Sequence, residues 1–508
     1  MLEILSQGLP GFLTPQALMM VTVGTFAGLI IGVLPGLGPL MGIVLLTPIA
    51  VYLDQVAAMS LLVAVYVGGS CGGAVSAILL RIPGTPLAAA TLLDGYPMAA
   101  KGKSGEAIGL AVAASAVGGI IGGIFLVFLS PLLANVALKF GPFEYFAITL
   151  MGLLSVSIVS QGSAVKGLTV AALGLFIATF GADKFSQYNR FTFGTDALLG
   201  GFHIVAVIVG LFAFSEMFLE IERGGLDEKK DGQAGRVPFF KSLGALVPRW
   251  KNLLRSSTVG TLFGILPGAG GVISSFTSYA IAKSNAGPDE KFGEGEPNGV
   301  IATESANNAC CGGALIPSFA LGVPGDAAAA VLMGSLILIG YFPGPTLFEN
   351  HIDIVGGIFL AYLFANVALA FLGIWLAPLF AFTLRIKKRQ LIPIITVLAI
   401  VGTFSIRWSV FDLWTMLGFG IIGYLLRRAN YPLAPVVIGL VLGPICEENL
   451  RRSLLFSNGD YGIFFERPIS ATIMAINVAV FTWIFVPPAL KAKLMFWKSA
   501  EVVKGSNQ

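Results

Sequence analysis

Apolar runs of membrane-crossing length follow one another along most of this 508-residue chain, with only short breaks between them. No other feature restricts the fold so strongly. In hydrocarbon a backbone must satisfy its own hydrogen bonds, and continuous apolar runs do so as helices. At ~20 residues per crossing the length allows about a dozen spans. Composition agrees, with 56% hydrophobic and 11% charged residues, against roughly 25% charged in soluble domains. The pattern predicts helices over 17–33, 39–53, 56–80, 107–136, 143–160, 166–181 and 197–219. After a polar stretch, 220–255, it predicts 257–266, 270–283, 310–322, 327–342, 354–382, 391–406, 412–426, 433–446 and 469–489. Short segments beside Gly-Pro breaks read as half-helices or re-entrant hairpins.

The net charge of +4 is small, and the Lys and Arg residues lie in interhelical segments. That distribution orients a membrane protein and does not suggest nucleic acid binding. The first twenty residues hold no Lys or Arg, so the first apolar stretch is expected to stay in the mature protein. Cys71, Cys310, Cys311 and Cys446 form no C-x-x-C pair and read as buried thiols. His203 and His351 stand far apart, and no zinc or haem spacing exists.

Two motifs repeat. GLIIGVLPGLG at 28–38 aligns with GTLFGILPGAG at 260–270, and CGGAVSAILLRIPGTPLAAA at 71–90 aligns with GGALIPSFALGVPGDAAAA at 312–330. In this alignment Gly72, Pro83 and Gly84 fall on Gly313, Pro324 and Gly325, and Thr85 falls on Asp326. A looser echo links 122–138 with 356–371. The basic loops swap sides between the halves: KGKSGE at 101–106 has a counterpart, 348–356, without Lys or Arg, while lone Lys139 corresponds to RIKKR at 385–389. The positive-inside rule then places 101–106, 220–255, 385–389, 427–428 and the C-terminus in the cytoplasm and the N-terminus outside. Arg451, Arg452 and Arg467 fall outside and run against that assignment. The expected fold is thus an all-α polytopic membrane protein of two inverted repeats with broken or re-entrant helices. Its parts are a first repeat over 1–219, a cytoplasmic linker over 220–255, a second repeat over 256–468, and a last transmembrane helix and tail over 469–508. Inverted repeats with paired Pro-Gly breaks are a recurring build of secondary transporters.

The residues GVLPGLGPLMGIVLLTPIA, GGSCGGAVSAILLRIPGTPLAAATLLDGYPMA, GILPGAGGVISSF and TESANNACCGGALIPSFALGVPGDAAAAVLMGSLILIG resemble the large membrane subunit of the tripartite tricarboxylate transporters over nearly the whole chain. The resemblance implies a bacterial inner-membrane symporter for small carboxylates such as citrate, driven by an ion gradient. It also implies two partners, a small membrane subunit and a periplasmic solute-binding protein. No cofactor is implied beyond a coupling ion, sodium or a proton.

Candidate site residues come from the breaks. Ile82-Pro83-Gly84-Thr85-Pro86 and Val323-Pro324-Gly325-Asp326 each end one helix and precede an Ala-rich one. A helix start offers free N–H groups to a carboxylate; the alternative is a turn with a capped helix. Arg81 beside the first break pairs with a substrate carboxylate, pairs with Asp94, or snorkels to the interface. The LPGLG and LPGAG segments, with Pro35, Gly36, Gly38, Pro267, Gly268 and Gly270, bring backbone close to substrate or to another helix. In the run Thr303-Glu304-Ser305-Ala306-Asn307-Asn308, the oxygens of Ser305, Asn307 and Asn308 are candidates for sodium, and the alternative is a solvated loop. Thr85 is neutral where its counterpart Asp326 is acidic, which assigns substrate to Gly84 and Thr85 and the coupling ion to Asp326, unless Asp326 is only a cap. Asp54, Glu144, His203 and Glu216 read as interfacial or capping residues. An enzyme at membrane depth would need a nucleophile with a base or a metal cluster; H-E-x-x-H and Walker A are absent, and the one G-x-S-x-G match, Gly68–Gly72, lies inside the apolar run 56–80 and not at a strand-to-helix turn. A passive channel is the other alternative.

Overall fold

A computed structural model describes residues 2–485 apart from 35, 160–162, 184, 187, 225–238, 267–269, 376–378 and 380–387. Pro35, Pro267, Gly268, residues 225–238 of the central linker, much of the 385–389 cluster and the C-terminal tail therefore lie outside the described residues. The first half comprises α1 (Leu2–Phe12), α2 (Pro15–Val33), α3 (Gly38–Ala50), α4 (Gln55–Leu80), α5 (Leu92–Met98), α6 (Ser104–Ala137), α7 (Pro142–Val159), α8 (Ala164–Ala178), α9 (Ile204–Val209) and α10 (Ser215–Arg223). The second comprises α11 (Phe239–Gly244), α12 (Trp250–Ile265), α13 (Gly270–Ser284), α14 (Pro297–Leu321), α15 (Ala327–Leu338), α16 (Pro345–Asn350), α17 (Ile352–Trp375), α18 (Lys388–Arg407), α19 (Val410–Arg428), α20 (Ala434–Phe456), α21 (Ile463–Glu466) and α22 (Pro468–Phe485). A two-residue strand pair, Gly181–Ala182 with Asn189–Arg190, makes the one sheet among the described residues. Six helices are long and apolar enough to cross a membrane, and six shorter apolar ones accompany them.

Local chemistry sets the boundaries. Thr14 caps α2, its hydroxyl accepting from the Ala17 N–H at 3.2 Å with Pro15 in the first turn. Glu296 does the same for α14, accepting from Asn298 N–H at 3.1 Å before Pro297. Both central helices end on a left-handed residue, α4 at Arg81 (φ 56°) and α14 at Gly322 (φ 72°). These two residues occupy the same repeat position, two before Pro83 and Pro324. Glycine takes that conformation freely, whereas an L-residue strains by about 1–2 kcal/mol.

The repeat holds contact by contact. A Cβ added at Gly28 would meet the Val65 carbonyl, and one at Gly260 the Ala306 carbonyl; Gly32 meets Gly69, and Gly264 meets Cys310. Each pair of partners shares a repeat position. These contacts seat α2 on α4 and α12 on α14 at backbone distance, the close approach small residues allow where apolar burial drives nothing. The halves run in opposite senses. Thr91, in the turn beyond α4, meets Thr303 (3.1 Å); back along α4, Ser70 meets Asn307 (3.0 Å) and Cys311 (3.2 Å), and Tyr66 meets Asp326 (2.6 Å). Falling numbers on one side pair with rising numbers on the other, so α4 and α14 cross antiparallel. Likewise α6 and α17 pair Val112 with Gly373, Gly119 with Asn366 and Gly123 with Tyr362. Ser70 and Cys311 themselves share a repeat position, two before Gly72 and Gly313. Their mutual contact therefore marks the pseudo-two-fold axis.

Several elements differ from the sequence expectation. Helix α14 begins at Pro297, not near 310, and residues Gly299–Ala320 are buried. The Thr303–Asn308 run is thus no solvated loop but a polar stretch inside the bundle, hidden from a hydropathy reading. After Pro86 there is only a single 3-10 turn, Pro86–Ala89, and the Ala-rich helix expected there does not form. Helix α20 continues past 446 to Phe456 on the i,i+4 ion pairs Glu447–Arg451 (2.7 Å) and Glu448–Arg452 (2.6 Å).

Candidate functional site

Each half carries a helical hairpin, α2–α3 or α12–α13, whose tip is the LPG motif. The first tip touches the first break directly: Gly36 N–H donates to the Gly84 carbonyl at 3.2 Å, and Gly84 N–H to Gly73 O at 3.2 Å. A Cβ on Gly38 would lie 3.4 Å from Thr85 Cγ2. At the second tip, a Cβ on Gly325 would lie 2.7 Å from the Gly264 carbonyl, as Gly84 faces that of Gly32 in the first half. The start of α13 lies over Leu87 and the Asn307 amide oxygen, which a Cβ on Gly271 would approach to 3.6 Å. Conversely α3 reaches α15, where Thr47 and Ser335 hydroxyls share a 2.8 Å hydrogen bond. The two LPG hairpins and the two Pro-Gly breaks thus gather about the Ser70–Cys311 axis, bringing together Gly36, Gly38, Gly84, Thr85, Gly270, Pro324, Gly325, Asn307 and Asp326.

The two sides of the axis differ in how their polar groups are satisfied. On one side Asp326 caps α15, Oδ1 accepting from Ala329 N–H at 2.7 Å and Oδ2 from the Tyr66 hydroxyl at 2.6 Å. Tyr66 and Asp326 correspond by repeat to Asn307 and Thr85. On that other side, Thr85 Oγ1 and Asn307 Oδ1 are buried and make no hydrogen bond. Ser305 Oγ and both amide atoms of Asn308 are likewise buried without partners. More than 90% of buried polar groups in proteins are hydrogen-bonded, so these atoms concentrated on one helix are the candidates for contact with a polar guest.

The helix-start argument for a carboxylate at Gly84 and Thr85 does not survive. The 3-10 turn after Thr85 is four residues long, Pro86 has no N–H, and Ala88 N–H already donates to Thr85 O at 3.1 Å. Arg81 does not reach Asp94. Its side chain is exposed, with the guanidinium 5.4 Å from the Tyr96 ring centre. Asp94 instead latches the second half: Oδ1 accepts from the N–H groups of Gly293, Gly295 and Glu296, each at 2.8 Å, and Oδ2 from Tyr279 at 2.9 Å.

Sequence reasoning passed over Glu304. Its side chain is fully buried; Thr91 donates to Oε1 and Ser115 to Oε2 at 2.8 Å. No Lys, Arg or His pairs with it among the described residues. A carboxylate on an apolar-flanked run was the available signal, and it was masked by the reading of that run as a loop entrance.

Of the four end residues, Glu144 caps Gly141 N–H (2.8 Å) and pairs with Arg467 (3.1 Å), and Glu216 pairs with Arg427. Asp54 and His203 sit at N-cap positions without a capping bond. The three arginines that run against the orientation rule are all ion-paired, Arg451 with Asp183 (2.8 Å), Arg452 with Glu448 and Arg467 with Glu144. Cys71, Cys310 and Cys311 are buried and Cys446 is half-buried.

Antiparallel repeats, broken helices and a polar cluster at their crossing define a multi-pass, all-α membrane protein of the inverted-repeat class. The sequence matches the tripartite tricarboxylate transporter TctA family over residues 18–438, and the chain belongs to that family, as the large subunit of its tripartite system. Two relatives from Agrobacterium vitis are similar to it. An uncharacterized 52.8 kDa protein in the TAR-I ttuC' 3' region is 36% identical over 493 residues, covering 96% of this chain and 97% of that one. An uncharacterized protein in the TAR-II ttuC' 3' region is 37% identical over 219 residues, 43% of this chain and 90% of its own length.

Proposed function

We propose that this chain is the permease subunit of an ion-gradient-driven, binding-protein-dependent symporter for small carboxylates in a bacterial inner membrane. The N-terminus lies outside, and the 101–106 loop and central linker lie in the cytoplasm. A small membrane subunit and a periplasmic binding protein complete the system, as membership of a tripartite family implies.

One observation supports the site above all: the Tyr66–Asp326 bond closes one side of the pseudo-two-fold, while its counterpart, Thr85 with Asn307, stays open. Substrate binds on the open side, its carboxylate taking hydrogen bonds from the Thr85 hydroxyl and from Ser305 and Asn308 on α14. Neutral donors suit an anion that must leave again, because a full ion pair in a dry site is costly to break. The missing side chains at Gly36, Gly38 and Gly84 let the LPG tip and the break pack closely together, which positions Thr85. Asp326, with both oxygens occupied, is a cap and has no part in this reading.

Uptake of radiolabelled citrate and related acids into vesicles holding all three components tests it, with and without a sodium or proton gradient. Gradient-dependent accumulation is expected. Equilibration without accumulation would make the chain a passive channel. Full saturable uptake by this chain alone would remove the partners from the proposal.

A further inference from the structure

Glu304 sits where no soluble-protein logic would leave a carboxylate. It lies on the fully buried middle of α14, with no cationic partner among the described residues. Two hydroxyls, Thr91 and Ser115, donate to it, one to each oxygen. Two neutral donors do not offset the cost of holding an ionised carboxylate in a dry interior, which otherwise demands a countercharge.

Around it the ligands are all oxygen. Thr91 Oγ1 lies 3.1 Å from Thr303 Oγ1, and the Thr303 hydroxyl lies within reach of its own helix carbonyls, 3.0 Å from Val300 O. Ser115 Oγ is 2.8 Å from Oε2. One turn further along α14 stands Asn307, held by its Nδ2 on Ser70 O at 3.0 Å, with Oδ1 buried and accepting nothing. A fixed carboxylate, three hydroxyl oxygens and an amide oxygen without a donor make a hard-oxygen set for a hard cation. A proton needs one acceptor, whereas five oxygens drawn from both halves match the several oxygen ligands a hard cation takes.

We infer that Glu304, Thr91, Thr303, Ser115 and Asn307 form a binding site for one sodium ion. The inference deepens the symporter reading and rests on it for its role in transport, though binding itself is separable. The site is shared between the halves: Thr91 and Ser115 come from the first, and Thr303, Glu304 and Asn307 from the second. A sodium ion there ties the halves together beside the axis. It also fixes the Asn307 oxygen, which faces the side where Thr85 is open, so ion occupancy shapes the substrate side directly.

The test uses the purified full chain in nanodiscs, with sodium chloride titrated against choline chloride while binding of radioactive sodium and the thermal midpoint are read. Wild type should bind sodium saturably and gain stability with it. Glu304→Gln should lose this, and Thr91→Ala, which keeps the carboxylate, should weaken sodium binding by at least about ten-fold, the scale of a lost metal-site contact. Asp183→Asn, in the loop ion pair with Arg451 and in contact with none of these ligands, should bind as wild type does. Unchanged sodium affinity in both Glu304→Gln and Thr91→Ala overturns the site. So does a wild-type chain that ignores sodium but is stabilised by acid in a Glu304-dependent way, because the group would then carry a proton. Vesicle uptake separates the two proposals: sodium-driven transport that persists unchanged in Glu304→Gln refutes this site and leaves the symporter standing.

Discussion

Replacing Asp94 by Asn should release the loop before α14 that closes one end of the bundle. Asp94 Oδ1 takes three backbone N–H groups, from Gly293, Gly295 and Glu296, all at 2.8 Å. Hydrogen bonds to a charged group contribute about 1.5–3 kcal/mol each, and those to a neutral one about 0.5–1.5. Asn keeps an oxygen in place and lets its amide face Tyr279, so the change removes charge rather than geometry. The loss is therefore ~1–1.5 kcal/mol per bond, or ~3–4 kcal/mol for three. At 1.4 kcal/mol per factor of ten, amide hydrogen exchange at Gly293, Gly295 and Glu296 should quicken by about two to three orders of magnitude. Amides inside α14, beyond Thr303, should keep their protection. Unchanged exchange at the three loop amides would refute the latch. An equal rise throughout α14 would show that Asp94 holds up the whole bundle instead.

Asp326→Asn leaves an oxygen for the Ala329 N–H and should cost no more than the loss of a good cap, about 0.5–2 kcal/mol; transport should keep its ion dependence, and loss of coupling without unfolding would return Asp326 to the ion pathway. Single cysteines at Ser104 and Asn350 should react with impermeant reagents from opposite sides of the membrane, and labelling of both from one side would refute the inverted orientation. Hydrogen bonds from the Ser186 hydroxyl and the Phe185 N–H, together with Arg451, hold Asp183 well below the usual carboxylate range. A depressed carboxylate stabilises the fold above its unfolded pKa, about 3.9, and loses that contribution as pH falls through the folded value. The difference in thermal midpoint between wild type and Asp183→Asn should accordingly be constant above about pH 5 and shrink only in stronger acid, and a difference that already shrinks between pH 7 and 6 would assign it to another group.

Most helices that touch lipid were legible in the sequence because hydropathy reports what a residue faces when it faces hydrocarbon. Helices 15–33, 104–137 and 410–428 lie close to their expected bounds. Hydropathy fails where a buried helix carries polar residues. The N-terminal half of α14 reads as a polar loop from Asn298 to Asn308, yet it is helical and almost wholly buried, its polar groups turned toward α4, α6 and the Thr91 turn. Charge misled in the same way at 447–456, where Glu447, Glu448, Arg451 and Arg452 satisfy one another along the helix. Pro-Gly pairs located both breaks, but they did not reveal the conformation of the segment after the first one. Leu87-Ala88-Ala89-Ala90 has the propensity of a helix, and Pro86 with the crowding of Leu87 against α13 holds it to a single 3-10 turn.

The repeat explains why the two ligand roles need not compete for one place. A strict two-fold would make Thr85 and Asp326 identical, and would make Tyr66 identical to Asn307. Substitution at these four positions alone closes one side with a hydroxyl–carboxylate bond and leaves the other with unpaired oxygens. Glu304 belongs to the open side as well: three residues before Asn307, it corresponds to Val63 in α4, an apolar residue at the same buried depth. The second repeat therefore carries a carboxylate and an amide on α14 where the first has Val63 and Tyr66 on α4. Opposed halves of equal shape give the bundle two comparable packings to move between, as an alternating-access device requires. Under the proposed sites, unequal chemistry at the axis puts the ion and the substrate on the same side of that motion, where the occupancy of one bears on the other through Asn307. Exchanging Tyr66 for Asn and Asn307 for Tyr together would remove the hydroxyl–carboxylate bond to Asp326 and fill the side of Thr85 with a phenol, without changing the residues present. If the open side is the binding side, the double exchange abolishes substrate binding while Tyr66→Asn alone weakens chiefly the Asp326 cap, and equal binding in the exchanged protein would show that the asymmetry carries no function.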